Sequence, residues 1–345
     1  MSEFELIDRI RARAPHRDDV ILGIGDDAAV LQVPAGKQLV VATDTLNAGV
    51  HFPIDTAPAD IGWKSLAVNI SDLAAMGAQP AWCMLSLSLP HSDMAWLDAF
   101  LDGFLALAAQ HDVALVGGDT TRGPLSICVT VHGWVEPGRV LRRDAAQVGD
   151  DIWVSGALGD AAGALMLMLP LPLREGCGGD SAAHADKSEH ELASSPSGRR
   201  GQAGLQAMRL RLDRPTPRVA TGQALVGIAH AGIDVSDGLL ADLGHVCRAS
   251  MVAAEVNLSA LPTSPALLET FDEDRRHVLQ ATGGDDYELC FTAPPSARAA
   301  SAAIAAATAT PLTRIGRIHA GDGVRALTGD GAVWHSSRAG YQHFG

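Results

Sequence analysis

The chain has 345 residues, 47% hydrophobic and 19% charged, a composition that argues against disorder and favours two domains. Its formal net charge of −14 argues against the Lys/Arg patches that hold nucleic-acid backbones or anionic membranes. The five cysteines include no C-x-x-C pair, so neither a zinc site nor a redox pair is predicted. The charged N-terminus lacks the apolar core of a signal peptide, and no apolar run reaches the ~18 residues of a membrane span. We therefore expect a soluble cytoplasmic protein that binds neither nucleic acid nor membrane.

The first half of the chain alternates helices and strands. Apolar residues at helical spacing predict an amphipathic helix over residues 3–14. Further patterns predict a strand, a helix, a strand, a helix and two strands, in that order, at 38–45, 63–78, 81–90, 95–112, 113–121 and 125–135. Acidic residues stand at several of the junctions between these strands and the following loops.

A second α/β unit begins near residue 149, where a strand at 152–155 leads into a glycine-containing turn and a helix. The stretch 174–205 is rich in Gly, Ser, Ala and charge without a clear period, and we interpret it as a flexible surface insertion. Later patterns predict a helix, a strand with a helix, a glycine turn with an edge-type strand, and an alanine-rich helix, at 218–229, 232–250, 283–294 and 297–309. The predicted domains are residues 1–148 and 149–345.

Six short turns combine glycine with aspartate or place aspartate at the end of an apolar segment. They are GIGDDAAV at 23–30, TDT at 43–45, SDLAAMGA at 71–78, GGDTTRG at 117–123, DVSDG at 234–238 and GGDDYEL at 283–289. Two unit charges about 4 Å apart repel by roughly 4 kcal/mol at an effective dielectric near 20. Repeated crowding of carboxylates therefore calls for an explanation.

Three interpretations compete for these aspartates. Asp is a common turn and helix N-cap residue, and Asp72, Asp160 and Asp237 each precede a helix-like run. A linear calcium loop needs ligands at alternate positions over about twelve residues, and none of the segments has that pattern. A magnesium–phosphate site explains the set best, because magnesium takes carboxylate oxygens and glycine lets backbone N–H groups approach phosphate. Walker and protein-kinase motifs are absent, so such a nucleotide site would have a different architecture.

Taken in this order with the terminal GYQHF at 340–344, the motifs resemble the thiamine-monophosphate kinase family. That family belongs to a superfamily with aminoimidazole ribonucleotide synthetase and selenophosphate synthetase. The resemblance covers nearly the whole chain except 174–205. It implies a two-domain α/β (α+β) fold of the aminoimidazole ribonucleotide synthetase-like type, whose N-terminal domain pairs in a homodimer. It also implies ATP-dependent phosphorylation of thiamine monophosphate to thiamine diphosphate, with several Mg²⁺ ions between nucleotide and substrate.

The same resemblance implies roles for individual residues. The implied metal ligands are Asp27, Thr43, Asp44, Asp72, Asp119, Asp234 and Asp237. The implied ATP contacts are Gly118, Asp119, Arg143 and Ser236. The implied substrate contacts are His51, Asp285 and Tyr341. The family often has Glu where this chain has Asp285, which is one methylene shorter, so the contact of Asp285 with substrate would be longer or water-mediated.

The chemistry of that reaction needs no covalent enzyme intermediate. The acceptor is a phosphate monoester with a second pKa of about 6, so it is largely ionised at neutral pH and requires no general base. We expect catalysis by positioning and charge neutralisation. Two alternatives stay open: another ATP-using member of the superfamily, or a non-catalytic nucleotide- or metal-binding protein. The first cysteine, Cys83, lies inside an apolar strand, which argues against a selenophosphate synthetase with a reactive N-terminal cysteine.

Overall fold

The structure is a computed structural model that describes residues 3–168, 196–336 and 340–341. It divides into two units built from interleaved segments of the chain. The first comprises Met1–Arg142, Asp213–Asp234 and Ser296–Thr310, and the second comprises Arg143–Leu212, Val235–Pro295 and Pro311–Gly345. The mixed α/β class is confirmed. The single division between residues 148 and 149 stays a prediction of domain organisation.

Helices and strands alternate through both units. The helices are α1 Glu3–Arg13, α2 Pro58–Ala75, α3 Met94–Gln110, α4 Asp160–Met168, α5 Pro196–Asp213, α6 Val219–Leu225, α7 Leu239–Ser250, α8 Pro265–Thr270, α9 Glu273–Thr282 and α10 Arg298–Ala307. The strands are β1 Val20–Leu22, β2 Val30–Leu31, β3 Gln38–Asn47, β4 Gln79–Leu89, β5 Ala114–Arg122, β6 Ser126–Val135, β7 Asp151–Ser155, β8 Ala231–Asp234, β9 Ala253–Asn257, β10 Leu289–Ala293, β11 Leu312–His319, β12 Val324–Leu327 and β13 Val333–Trp334. None of the described helices is long and apolar enough to cross a membrane.

The first unit is built on a four-stranded sheet of order β3-β6-β4-β5. β6 is antiparallel to both of its neighbours, and β4 runs parallel to β5. Buried and half-buried residues alternate along β6, so one face of the sheet is covered and the other is more open. α2 packs against the sheet at β3 and β6, and α3 packs against α2. The core of this unit therefore lies between the covered face and the helices.

α2 is almost wholly buried along its length. It begins at Pro58, five residues before the start predicted at Trp63. Proline fits the first turn of a helix, where its missing N–H is not needed. It ends before Gly77, as its sequence predicts, and Gly77 has a φ of 69°. This burial matters for function because α2 carries the polar residues Asn69, Ser71 and Asp72.

The second unit contains a mixed sheet with the strand order β13-β12-β9-β11-β7-β10. β9 and β12 run parallel, and the other neighbours in this series are antiparallel. All five residues of β10 are buried. The turns that precede β10 and α7 carry Asp285 and Asp237, two of the residues predicted for the site.

The predicted insertion at 174–205 differs from the structure in its last part. α5 begins at Pro196, so residues 196–205 are helical rather than a loop. Met208 and Leu212 of α5 are buried in a cluster with Ala161 and Ala164 of α4. Glycines in the first half of α5 interrupt the apolar period that identifies a helix in sequence. Residues 174–195, with His184 and His190, lie outside the described residues.

Candidate functional site

One turn of α2 anchors two of the predicted metal ligands. The side-chain oxygen of Asn69 accepts a hydrogen bond from the backbone N–H of Asp44 at 2.9 Å. Ser71 donates its hydroxyl to the Asp234 carboxylate at 2.7 Å. Asp72, the residue after Ser71, is half-buried, whereas its neighbours Ser71 and Leu73 are buried. Asp44, Asp72 and Asp234 therefore belong to one neighbourhood of the first unit.

The strand register separates Asp44 from two other predicted ligands. Asp44, the buried Val129 and Gly118 lie in one row across the four-stranded sheet, with the buried Leu85 between the last two. Side chains alternate between the faces of a strand, so Thr43 and Asp119, each one residue away from that row, belong to the opposite face. Both Thr43 and Asp119 are exposed. The predicted ligands thus lie on both sides of this sheet.

Asp27 occupies an exposed turn before β2, and its backbone N–H donates to the Asp26 carboxylate at 2.8 Å. Within the residues that the structure describes, no three His, Cys, Asp or Glu side chains are grouped so as to hold a metal ion. Carboxylate oxygens are nevertheless the donors that Mg²⁺ prefers. The predicted metal-ligand set stays a prediction; Asn69 and Ser71 bind the Asp44 backbone and the Asp234 carboxylate at the turn of α2 that carries Asp72.

His51 lies just beyond the end of β3, and its ring orientation is fixed by a local hydrogen bond. Its Nδ1 accepts from the backbone N–H of Asn47 at 2.9 Å. A neutral imidazole has one donor and one acceptor nitrogen, so this bond assigns the proton to Nε2. In its neutral form His51 therefore presents an N–H donor from Nε2, which suits contact with an anionic or carbonyl oxygen.

Gly118 on β5 has a φ of 148°, a conformation that L side chains rarely adopt. A Cβ at this position would overlap the backbone carbonyl oxygen of Leu85 on β4. Only glycine therefore allows β4 and β5 to pair here with this backbone conformation. The neighbouring Gly117 has more room, because its nearest neighbour would be the Met84 methyl carbon at 3.7 Å.

In the second unit, one carboxylate organises the turn that precedes α7. A single oxygen of Asp242 accepts hydrogen bonds from the backbone N–H groups of Ser236, Asp237 and Gly238, at 3.0, 3.1 and 3.1 Å. Asp242 is buried. The apolar period of α7 in the sequence does not indicate this role. The available signal is an Asp in the first turn of a helix that follows a glycine, where backbone N–H groups need acceptors.

The turn before β10 is joined to that same segment by backbone hydrogen bonds. The N–H of Asp285 donates to the Ser236 carbonyl and the N–H of Tyr287 donates to the Val235 carbonyl, both at 2.8 Å. Asp285 and Tyr287 have positive φ angles of 69° and 50°. The Tyr287 hydroxyl donates to the Asp285 carboxylate at 3.2 Å. Asp285 and Ser236 are therefore held side by side.

The described end of the chain also reaches this turn. The backbone N–H of Tyr341 donates to the carbonyl of Asp237 at 2.9 Å, and the Tyr341 side chain is half-exposed. A functional Tyr341 requires the C-terminus to fold back onto the protein, and at this residue it does. Ser236, Asp237, Asp285 and Tyr341 are thus neighbours in the second unit.

Arg143 belongs to the same neighbourhood through a histidine that motif matching misses. Burial lowers the pKa of His245, and the charges of Arg248 and Arg143 lower it further, whereas Asp237 raises it. The charges of Arg143 and Asp237 thus act on the His245 ring in opposite directions. The Arg143 side chain is exposed, and its carbonyl accepts the Ser250 hydroxyl at 2.9 Å. An exposed guanidinium beside this turn can meet an anionic ligand.

Comparison with known proteins identifies the family. The family model described as AIR synthase related protein, N-terminal domain, matches residues 25–135. A thiamine-monophosphate kinase of Salmonella typhimurium is 43% identical over 347 residues, covering 99% of this chain and 98% of that protein.

Solved structures agree with that comparison. A thiamine-monophosphate kinase from Stenotrophomonas maltophilia is 56% identical, has a TM-score of 0.81, and covers 94% of this chain and 96% of its own. A structure described as AaThiL complexed with AMPPCP and TMP is 30% identical with a TM-score of 0.71, covering 99% and 97%. The predicted fold is confirmed by these likenesses. Because relatives are matched from end to end at such identity, the chain belongs to the thiamine-monophosphate kinase family.

Proposed function

We propose that this chain transfers the γ-phosphoryl group of ATP to the phosphate of thiamine monophosphate, forming thiamine diphosphate and ADP. The observation that carries the proposal is the end-to-end match with a thiamine-monophosphate kinase at 43% identity. The AaThiL structure holds AMPPCP, an ATP analogue, together with TMP, which supports a nucleotide and a second ligand in this fold. ATP is the co-substrate in this proposal.

Several Mg²⁺ ions belong to the proposal, held by Asp27, Thr43, Asp44, Asp72, Asp119, Asp234 and Asp237. Bound ions would neutralise the charge of two phosphorylated molecules, which otherwise repel. The role of the supporting residues is to hold these carboxylates in position for the ions. Asn69 fixes the backbone at Asp44 and Ser71 orients the Asp234 carboxylate. Support for this part comes from these two contacts, which lie on the turn of α2 that carries Asp72.

The proposed ATP contacts are Gly118, Asp119, Arg143 and Ser236. Arg143 supplies a fixed cation, and the Ser236 turn supplies backbone geometry held by Asp242. The proposed thiamine monophosphate contacts are His51, Asp285 and Tyr341. His51 would donate from Nε2 to the substrate rather than move protons, because its Nδ1 already accepts from Asn47. The transfer is direct, since an ionised phosphate is itself the nucleophile and needs no base.

The proposed assembly is a homodimer formed through the N-terminal domain. Three large apolar side chains, Leu39, Val41 and Met84, lie on the open face of the four-stranded sheet, and they are 48%, 53% and 39% exposed. Apolar side chains gathered on one face are typical of a surface that pairs with another protein. The proposed location is the cytoplasm, where thiols stay reduced, and the four described cysteines are free.

One incubation tests the proposed reaction. The purified chain is mixed with ATP, MgCl₂ and thiamine monophosphate, and the products are separated by chromatography. We expect thiamine diphosphate and ADP in equal amounts. Binding of ATP without either product would favour the non-catalytic alternative. Turnover only with the substrates of aminoimidazole ribonucleotide or selenophosphate synthetase would assign the chain to that branch instead.

A further inference from the structure

Behind the Asp285 turn lies a buried group of ionisable side chains to which the proposed reaction gives no role. Asp286 and Glu288 are 5% and 0% exposed, and Asp160 is also buried. All three influence one another electrostatically, with Arg211 of α5 as the opposing charge. Buried carboxylates are costly unless hydrogen-bonded, so their contacts indicate what they do.

Glu288 is held from two sides. One oxygen accepts the Ser155 hydroxyl at 2.5 Å, and the other accepts the Arg211 guanidinium at 2.5 Å. The Ser155 oxygen in turn accepts the backbone N–H of Leu289 at 2.8 Å. These contacts join the first residue of β10 and the residue before it to β7 and α5. They fix where the Asp285 turn enters the sheet.

Asp286 is held by a different loop. Both of its oxygens accept the backbone N–H of Gly159, at 3.0 and 2.9 Å. Burial raises the pKa of Asp286 well above its usual range, and Glu288 and Asp160 act in the same direction. The side chains of Asp286 and Glu288 thus face inward, on either side of Tyr287.

The residues between these inward anchors adopt an unfavourable backbone conformation. Asp285 and Tyr287 both have positive φ angles, at 69° and 50°. Left-handed backbone at a residue other than glycine costs of the order of 1–3 kcal/mol and persists where the surroundings enforce it. The enforcing contacts here are the buried bonds of Asp286 and Glu288, together with the backbone bonds to Val235 and Ser236.

We propose that Glu288, through Ser155 and Arg211, and Asp286, through Gly159, are positioning residues that hold the Asp285 carboxylate where it meets thiamine monophosphate. This inference rests on the proposed function, in which Asp285 contacts that substrate. A buried ion pair is weak evidence of net stability compared with apolar packing. The proposed effect of the Glu288–Arg211 pair is to select one conformation of the Asp285 turn.

The test separates substrate binding from folding and from nucleotide binding. Glu288→Gln removes the charge that faces Arg211, and Ser155→Ala removes one hydroxyl with little change in volume. Glu273→Gln on α9 is the matched control, because its side chain is 69% exposed and lies in the same unit. Each variant is assayed for KM of thiamine monophosphate, KM of ATP, kcat and the urea midpoint of unfolding.

We expect Glu288→Gln to raise the KM for thiamine monophosphate about tenfold or more, since a displacement near 1 Å costs up to about a hundredfold. Ser155→Ala raises it less, and in both variants the KM for ATP stays within about twofold of the wild-type value. Glu273→Gln behaves as wild type.

An unchanged KM for thiamine monophosphate in both variants, or equal rises for both substrates, would overturn the inference. If Glu288→Gln fails to fold, Ser155→Ala decides the question. A wild-type chain that makes no thiamine diphosphate would instead overturn the proposed function, which is a separate result.

Discussion

Ser71→Ala is the most informative single change in the first unit. The Ser71 hydroxyl donates to the Asp234 carboxylate at 2.7 Å, and both residues are buried. The substitution removes this donor and leaves the rest of α2 in place. In the proposed site Asp234 is a metal ligand, so the loss should appear as a higher magnesium requirement of the reaction rather than as loss of fold.

The expected magnitude follows from the charge of the acceptor. A hydrogen bond to an ionised group contributes about 1.5–3 kcal/mol. Residues that orient metal ligands typically change metal affinity by about 10- to 100-fold, which corresponds to roughly 1.4 to 2.8 kcal/mol. The two ranges agree, so the magnesium concentration for half-maximal rate should rise by about 10- to 100-fold.

The assay is the initial rate of thiamine diphosphate formation against magnesium concentration, at saturating ATP and thiamine monophosphate. Ser65→Ala is the control, because Ser65 is buried on the same helix and its hydroxyl donates only to the Gly62 carbonyl, at 3.0 Å. Ser65→Ala loses a neutral bond of about 1 kcal/mol and should keep wild-type magnesium dependence. Equal magnesium requirements in the two variants would refute the reasoning.

Three further predictions concern the other parts of the site. Asp72→Asn should abolish turnover while circular dichroism and the urea midpoint stay near wild type; near-normal activity at ordinary magnesium would remove Asp72 from the metal set. Gly118→Ala should destabilise the first unit by more than about 2 kcal/mol, measured by urea unfolding, whereas Gly117→Ala should change it far less. Because the pKa of Asp286 is raised above its ordinary value of 3.8, its contribution to stability is complete below that value and is lost as pH rises through the folded-state pKa. Asp286→Asn should therefore lose less stability than wild type between acid and neutral pH, and parallel pH profiles of the urea midpoint would contradict this.

The sequence motifs indicate more of the candidate site residues than of the residues that hold them in place. Local glycine and aspartate patterns mark residues such as Asp44 and Asp234 as candidates, because such patterns are local in sequence. Their supporting contacts are not local: Ser71 and Asp234 are separated by 163 positions, and Asn69 and Asp44 by 25. No periodicity indicates which serine of a helix faces a distant strand. The partners become visible only when the fold brings the segments together.

Two features of the second unit escape sequence patterns for different reasons. The helix α5 is not predicted from the sequence, because the glycines in its first half weaken the helical period, and the packing of Met208 and Leu212 stabilises it. The positive φ angles at Asp285 and Tyr287 are missed because neither residue type requires them. Tertiary contacts impose both features.

The polar residues of α2 also bear on why the aspartates are crowded. Asn69 and Ser71 are wholly buried within a helix that is otherwise largely apolar. Burying an amide or a hydroxyl costs free energy unless it is hydrogen-bonded, so an apolar residue would serve a purely structural helix better. Their bonds go to the Asp44 backbone and to the Asp234 carboxylate. These polar side chains hold the Asp44 backbone and the Asp234 carboxylate at the turn of α2 that carries Asp72, which is the arrangement that the proposed divalent-cation site requires.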